Sequence, residues 1–333
     1  MSAASPTFGA MSSRSVRPRA VFFGTPEFAV SGLRALTEVA EVTLVVTQPD
    51  RPKGRGMKLA PPPVKLLAEQ LSIPVVQPTK IRTPEFAERL RAEQADVALV
   101  IAYGRILPTQ LLAAPRLGCL NVHASLLPKL RGAAPIQWSI VRGERETGVC
   151  LMRMDEGLDT GPVFARESLV IDPDETAAEL SERLSALGAE LVVRELPRVV
   201  AGELQPQPQE HAEASLAPIL AKQDGELDFQ RSARAVHDWV RGFAPWPSAY
   251  TWLAGTRLKL HRTQVLHDQT ANTTHARPGE LLSATRDGID VACGVGTLRV
   301  LELQLEGARR LSAAEFLAGH RIGPGTQLGR DAS

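Results

Sequence analysis

Residues 20–47, AVFFGTPEFAVSGLRALTEVAEVTLVVT, decide the fold class of this chain. An apolar run at residues 20–23 has the length of a buried strand. Thr25 is the expected N-cap of a helix whose apolar residues recur at helical spacing over residues 28–36. A second apolar run at residues 42–47 predicts the next strand. This order of strand, helix and strand predicts two parallel strands joined by a crossover helix.

The same alternation of strand-like and helical segments continues to about residue 202. The further segments are strands at residues 73–76, 97–102 and 119–122, a helix opened by Thr83, and a long helix at residues 176–198. We therefore expect an open, twisted α/β sheet of mainly parallel strands. In such sheets the ligand crevice lies beyond the carboxyl ends of the strands.

The composition divides the chain into two domains and a linker. Residues 205–210, QPQPQE, are polar and rich in proline, which is typical of linkers. We place a linker at residues 203–215, a first domain at residues 20–202 and a second domain at residues 216–330. Residues 1–19 are expected to form a disordered leader.

The second domain has the pattern of a small β-barrel. A helix is expected at residues 233–243, and short alternating runs separated by glycine-bearing turns follow it. These runs lie at residues 250–253, 257–261, 288–292 and 297–303. Several short strands spaced in this way are typical of a small antiparallel barrel.

The bulk composition is typical of a protein from a reducing compartment. The net charge of +1 gives no overall field towards nucleic acid or an anionic membrane. The three cysteines are odd in number and far apart, which argues against both a disulfide framework and a zinc knuckle. No apolar run reaches the about 18 residues of a membrane span. We expect a cytoplasmic monomer without a membrane contact or a metal site.

The first 19 residues leave two readings open. They lack the apolar centre of a secretory signal, but they are rich in Ser and Ala and carry arginines without an acid, as an organelle transit segment does. A start at Met11 instead of Met1 is the other reading.

Residues 120–132, LNVHASLLPKLRG, hold the densest cluster of polar residues in apolar surroundings. Asn121 and His123 fall on the same side of the expected strand because the side-chain period of a strand is two. An amide and an imidazole aimed at one spot can stabilise an oxyanion, which is the chemistry of acyl transfer. By itself such a pair is more often a satisfied polar pair at the end of a sheet.

A carboxylate beside the imidazole would favour its protonated form. The segment MDEGLDTGP at residues 154–162 offers Asp155, Glu156 and Asp159. Asp159 lies in the glycine-rich part of this loop, where a carboxylate can be held beside a ligand. Asp155 and Glu156 are expected to be solvated turn residues.

Three segments together resemble the signature of the folate-dependent formyltransferases: NVHASLLP at residues 121–128, RG at residues 131–132 and LDTG at residues 158–161. The resemblance implies a Rossmann-like N-terminal catalytic domain and an OB-like C-terminal β-barrel that binds tRNA. It implies 10-formyltetrahydrofolate as co-substrate and no metal. It also assigns the catalytic roles to Asn121, His123 and Asp159.

The resemblance further implies how these residues act. An amine attacks the formyl carbon, Asn121 and protonated His123 hold the tetrahedral oxyanion, and Asp159 orients His123. The wall of the folate site is assigned to four consecutive residues, Ser125, Leu126, Leu127 and Pro128. Taken alone, the two leucines could equally be ordinary core residues.

A basic segment after the second strand points to the acceptor. Residues 47–56, TQPDRPKGRG, and residues 23–28, FGTPEF, resemble the branch of the family that acts on methionyl-tRNA. Proline and glycine are expected to keep the basic segment out of regular structure, so that its cations can follow phosphates. The resemblance singles out Arg55, with Lys53 and Lys58 in support, as contacts to initiator methionyl-tRNA.

Other functions stay open at this point. Formyl transfer to a small amine, such as an amino-sugar nucleotide or glycinamide ribonucleotide, would use the same three residues, and so would hydrolysis of the formyl donor. A non-enzymatic RNA-binding protein of the same fold would need the basic segment alone. Dinucleotide binding is disfavoured because Gly24 is followed by Pro26 and Glu27 where a phosphate cradle needs glycines.

Overall fold

The computed structural model describes residues 17–53, 58–271 and 276–330, with the side chains of residues 53, 58 and 268–271 left out. The expected leader therefore lies almost wholly outside the described residues. In the first part of the chain the strands are β1 (Arg19–Gly24), β2 (Glu41–Val46), β3 (Arg51–Lys53), β4 (Lys58–Ala60), β5 (Val75–Val76), β6 (Val97–Ile101), β7 (Cys119–His123), β8 (Arg131–Gly132), β9 (Glu146–Arg153), β10 (Val163–Val170) and β11 (Leu216–Ala217). The helices are α1 (Val30–Val39), α2 (Pro63–Gln70), α3 (Pro84–Ala92), α4 (Thr109–Leu112), α5 (Pro135–Val141) and α6 (Ala177–Val200), with short 3-10 helices at Glu27–Ala29 and His211–Glu213.

The expected α/β sheet is confirmed. Seven strands form it in the order β10, β9, β7, β6, β1, β2, β5. The five strands from β7 to β5 are parallel, whereas β9 and β10 run antiparallel to their neighbours. The central strands β1 and β6 are buried along almost their whole length, as expected for a sheet covered on both faces. Their carboxyl ends and that of β7 meet at one edge of the sheet.

The prediction that Thr25 is a helix N-cap was wrong. A 3-10 helix at Glu27–Ala29 precedes α1, and no side chain caps either element. The Thr25 hydroxyl instead donates to the carbonyl oxygen of Tyr103, at 3.0 Å, in the loop after β6. A tertiary hydrogen bond between neighbouring strand ends has replaced the local one that the sequence predicts.

The basic segment contains more regular structure than expected. Strands β3 and β4 pair antiparallel, with Lys53 opposite Lys58. Asp50, at the base of this hairpin, accepts hydrogen bonds from Gln77 and Lys65. These hydrogen bonds lower the pKa of the Asp50 carboxyl, and the bond from Gln77 has the largest effect. The hairpin is therefore anchored to the sheet by an ionised carboxylate.

The second domain contains α7 (Ala233–Gly242), β12 (Tyr250–Leu253), β13 (Thr256–Ala271), β14 (Leu281–Thr285), β15 (Gly288–Ala292), β16 (Val295–Leu305), β17 (Leu311–Ser312) and α8 (Ala313–Gly319), after a 3-10 turn at Lys222–Gly225. Its sheet is antiparallel, in the order β12, β13, β16, β15, β14, with β17 added on β16.

A C-terminal segment joins the two edge strands of this sheet. Leu253 of β12 forms a β-bridge with Leu328, and Glu280, next to β14, forms one with Gln327. The amide of Leu281 in β14 also donates to the carbonyl of Thr326. The sheet is thereby closed on itself, as expected for a barrel.

The two domains are packed against each other through α5 and α7. Phe243 is fully buried and lies edge-on to both Trp138 and Trp239. The Arg241 guanidinium, which is paired with Asp238, donates to main-chain carbonyls of the first domain. The exact domain bounds stay a prediction.

Across the described ranges, no helix combines the length and the apolar character required to cross a membrane.

Candidate active site

Strand β7 places Asn121 and His123 on the same side of the sheet. Leu120 and Val122, which alternate with them, lie in the core cluster beneath α6. Asn121 and His123 therefore face the opposite side, as the strand period predicts. β7 runs parallel to its neighbour β6, so the carboxyl ends of the two strands lie at the same edge of the sheet. The ligand crevice is expected at this edge.

The imidazole of His123 lies between two acceptors. It is 6% exposed, its Nε2 lies 3.0 Å from the carbonyl oxygen of Leu130, and its Nδ1 lies 3.7 Å from Oδ2 of Asp159. A carbonyl only accepts, so Nε2 carries a proton in this arrangement. The Asp159 carboxylate faces Nδ1 on the other side of the ring, and at 3.7 Å this contact is too long for a direct hydrogen bond.

The side chain of Asp159 is fixed by the loop that follows His123. Its Oδ2 accepts a hydrogen bond of 2.8 Å from the amide of Gly132, and the side chain is 16% exposed. The backbone of Asp159 has a φ of +52°, in the left-handed region. A residue other than glycine adopts this conformation at a cost of about 1–2 kcal/mol, so other contacts must hold the loop in place.

The two other acids of this loop have partners other than His123. Asp155 accepts from the amide of Gly157 and the hydroxyl of Thr160, within the loop itself. Glu156 is exposed and accepts from Thr109 at 2.7 Å. Asp159 is thus the acid of this loop that the structure brings to His123, while the catalytic roles themselves stay a prediction.

The amide of Asn121 is available for a ligand. Asn121 is half-buried, and within the described residues its side chain makes no hydrogen bond to the protein. An amide that is held on a central strand and lacks an internal partner can donate to an oxygen atom of a substrate.

The four residues expected to form the folate wall differ in exposure. Ser125 is fully buried, and its hydroxyl closes the loop by donating to the carbonyl of Lys129 at 2.6 Å. Leu127 is 2% exposed and packs with Cys150, Met152 and Val163. Leu126 and Pro128 are half-exposed. Only these last two side chains, together with the loop backbone, are accessible to a ligand.

Two of the residues expected to contact tRNA, Lys53 and Lys58, belong to the paired strands β3 and β4. Arg55 falls outside the described residues, and the side chains of Lys53 and Lys58 are not described. The hairpin follows β2, so its base lies at the same sheet edge as His123. Arg51 at this base is exposed.

Two known protein-family models match most of the chain. The family model described as formyl transferase matches residues 19–196, and the model described as formyl transferase, C-terminal domain, matches residues 219–321. The chain belongs to the formyl transferase family. The family predicted from the signature at residues 121–161 is therefore confirmed, and with it the prediction of a formyl-transferring enzyme.

Curated relatives of this formyl transferase extend over almost its whole length. Methionyl-tRNA formyltransferase of Myxococcus xanthus is 54% identical, over 93% of this chain and 98% of the relative. The protein of the same name from Citrifermentans bemidjiense is 53% identical, over 95% of this chain and 98% of the relative. The solved N-formyltransferase of Helicobacter canadensis, in complex with folinic acid and dTDP-3-aminofucose, superposes with a TM-score of 0.64 at 17% identity, over 85% of this chain and 98% of that one. The likeness to this solved structure concerns the fold.

The crevice of this formyl transferase combines residues of segments 23–28 and 47–56, which the sequence singled out, with residues that the sequence did not suggest. A cavity of about 420 Å³ opens at the carboxyl ends of β1, β2 and β6. Tyr103, in its wall, is 2% exposed, and its hydroxyl has no hydrogen-bond partner within the described part of the chain. The wall residues outside those two segments are Ala60, Pro61, Pro62, Pro63, Ala102, Tyr103 and Gly104, and the signal for them in the sequence was their position at or just after a strand end. The wall also includes Thr25, Pro26, Gln48, Pro49, Arg51 and Pro52.

No group of three or more His, Cys, Asp or Glu side chains suited to a metal ion occurs within residues 17–53, 58–271 and 276–330.

We expect the three cysteines to resist alkylation in the folded enzyme. All three are buried free thiols, and burial raises the pKa of Cys119 to about 12, of Cys150 to about 11 and of Cys293 to about 12. Because the thiolate is the reactive form, iodoacetamide at pH 8 should label the folded protein slowly. After unfolding in guanidinium the same thiols should react at least about a hundredfold faster. Mass spectrometry of the labelled protein measures both rates. Rapid labelling of Cys150 in the folded protein would show that the sheet opens beside His123, with which Cys150 is paired.

Proposed function

We propose that this formyl transferase moves the formyl group of 10-formyltetrahydrofolate to the amino group of initiator methionyl-tRNA. One observation carries the proposal: Asn121, whose amide makes no hydrogen bond among the described residues, shares a side of β7 with His123, and the Asp159 carboxylate lies 3.7 Å from the His123 imidazole. The substrate is supported by the name shared by the relatives at 54% and 53% identity.

The reaction needs one bond to form and one to break. The amine nitrogen attacks the formyl carbon, and the carbonyl oxygen becomes an oxyanion. The tetrahedral intermediate then expels the folate N10, and the proton lost by the amine ends on that nitrogen. The Asn121 amide donates to the oxyanion, and the His123 imidazolium stabilises its negative charge. Asp159 orients His123 throughout.

Apolar side chains at the same edge suit the planar ring of a folate. Leu158 is 54% exposed and Ile106 is 68% exposed. Their loops are joined by the hydrogen bond of 2.7 Å from Thr109 to Glu156. Two exposed apolar side chains on neighbouring loops can cover a pterin face while backbone groups bind its polar edge. Leu126 and Pro128 would extend this surface on the side of His123.

The acceptor would reach the crevice beside the β3–β4 hairpin. The cavity of about 420 Å³ that includes Tyr103 lies between this hairpin and the strand ends. A cationic hairpin next to a cavity suits an RNA end that carries an aminoacyl group, because phosphates are bound outside while the amine enters.

A direct transfer assay tests the function. Labelled formyl from 10-formyltetrahydrofolate is offered to charged initiator tRNA, glycinamide ribonucleotide, an amino-sugar nucleotide and water in parallel. Label on methionine is the expected result. Label on a small amine, or free labelled formate, would overturn the substrate, and a lack of any transfer would favour the non-enzymatic RNA-binding protein.

We expect Arg55→Ala to weaken the use of tRNA with little effect on folate. Loss of one phosphate contact should raise the KM for tRNA and reduce the slope of log KM against log salt by about 0.7–0.9. The matched control is Arg89→Ala, an exposed arginine of α3 at the opposite end of the strands. Equal salt slopes for both variants and the wild type would remove Arg55 from the tRNA interface.

A further inference from the structure

The segment between the two domains lies along both loops of the candidate site. Gln207 and Val163 exchange two backbone hydrogen bonds of 2.8 Å at the end of the Asp159 loop. Strand β11 pairs in parallel with β8, which follows the His123 loop. A segment with linker composition is therefore bound at two places to the loops that carry the catalytic side chains.

The side chain of Gln209 forms the centre of this contact. It is 6% exposed, and its Nε2 donates to the carbonyl oxygens of Asp159 at 2.8 Å and Gly161 at 2.7 Å. Its Oε1 accepts from Nε of Arg131 at 3.1 Å and from Nη2 at 2.7 Å. Both donor hydrogens and the acceptor of the amide are thus used, which defines its orientation.

Arg131 is held as firmly as Gln209. It is 6% exposed, and besides Gln209 it binds Nδ1 of His211 at 3.0 Å. Within the described residues it has no carboxylate partner. A buried charge that is bound only by neutral groups is costly, so its hydrogen bonds must be well formed.

These contacts form a closed ring around Asp159. Arg131 binds Gln209, Gln209 binds the carbonyl of Asp159, and the carboxylate of Asp159 binds the amide of Gly132, which follows Arg131 in the chain. The ring holds a residue whose φ of +52° is unfavourable by itself. Without Gln209, Asp159 would be held by its carboxylate but not by its backbone.

We propose that Gln209 is a positioning residue, which fixes the Asp159 carboxylate against His123 through the carbonyls of Asp159 and Gly161. The segment between the domains is then a part of the catalytic site. This inference rests on the proposed function, since its readout is formyl transfer.

Gln209→Ala is expected to lower kcat about tenfold to hundredfold with little change in the KM for folate or tRNA, because a small displacement of a catalytic group acts mainly on the transition state. Gln209→Glu separates the two halves of the contact. It keeps an acceptor for Arg131 but has no N–H group for the two carbonyls, so it should be as slow as the alanine variant. Gln205→Ala is the control, since Gln205 belongs to the same segment and is exposed.

A double-mutant cycle distinguishes positioning from general loosening. If Gln209 acts through Asp159, then Gln209→Ala should change kcat less than about threefold when Asp159 is already asparagine. Thermal unfolding measurements test whether each variant is folded. If the alanine variant is not folded, Gln209→Glu takes its place in the cycle.

The outcomes separate the two claims. A wild-type chain without formyl transfer would overturn the proposed function and this inference with it. An active wild type with Gln209→Ala or Gln209→Glu at the rate of Gln205→Ala would overturn the inference alone. If Gln209→Ala lowered kcat by the same factor with and without Asp159→Asn, the inference would also be overturned, because the effect would be independent of Asp159.

Discussion

Asp159→Asn should lower kcat about a thousandfold while the chain stays folded. The asparagine Oδ1 can still accept from the amide of Gly132, and the main-chain carbonyl can still accept from Gln209, so the loop keeps its contacts. What is lost is the negative charge 3.7 Å from Nδ1 of His123. That charge orients the imidazole and matters most when the oxyanion forms, so the loss falls on kcat.

Steady-state kinetics and folate binding by fluorescence titration check this expectation. The folate Kd should change less than about threefold, because the carboxylate acts mainly in the transition state. Asp155→Asn is the matched control, since Asp155 lies in the same loop, is exposed, and serves only a turn. Activity of Asp159→Asn within tenfold of the wild type would remove Asp159 from the catalytic trio.

Asn121→Asp should lower kcat by at least about a hundredfold, and more than Asn121→Ala does. The aspartate has nearly the same shape, but it loses the N–H donor and brings a negative charge to the place where the oxyanion forms. Alanine loses the donor only. The order of the two variants therefore reports the sign of the charge that develops beside residue 121.

The stability of these two variants should be close to that of the wild type. Within the described residues the Asn121 side chain has no hydrogen-bond partner, so its removal leaves no other group unpaired. Calorimetric Tm values and kcat are the measurements. An aspartate variant that is faster than the alanine variant would contradict an oxyanion at this position.

The sequence predicted the parts of the site that depend on local pattern. The period of two along β7 placed Asn121 and His123 on one side, and Asp159 was preferred to Asp155 because of the glycines around it. The alternation of elements predicted the sheet because the central strands carry apolar runs, as in VFF of β1 and VALVI of β6.

The parts that failed depend on contacts between distant residues. Thr25 has the composition of an N-cap, but the carbonyl of Tyr103 in the neighbouring loop binds its hydroxyl. Gln209 stands in a segment whose composition indicates only a linker, and its partners Arg131 and Asp159 are remote in sequence. No local sequence pattern marks such a glutamine, since its contacts depend on where the chain after α6 packs against the loops of Arg131 and Asp159.

The closed barrel of the second domain has a consequence for how it forms. The bridges of Leu253 with Leu328 and of Glu280 with Gln327 join residues that are far apart in the chain, whereas the other strand pairs of this sheet include hairpins between neighbours. Contacts of large sequence separation carry the greater loop-closure entropy, so they form after the local ones. The contact of Leu253 with Leu328 should thus form after the β12–β13 and β14–β15 hairpins, and it should be among the first contacts to open when the domain is heated.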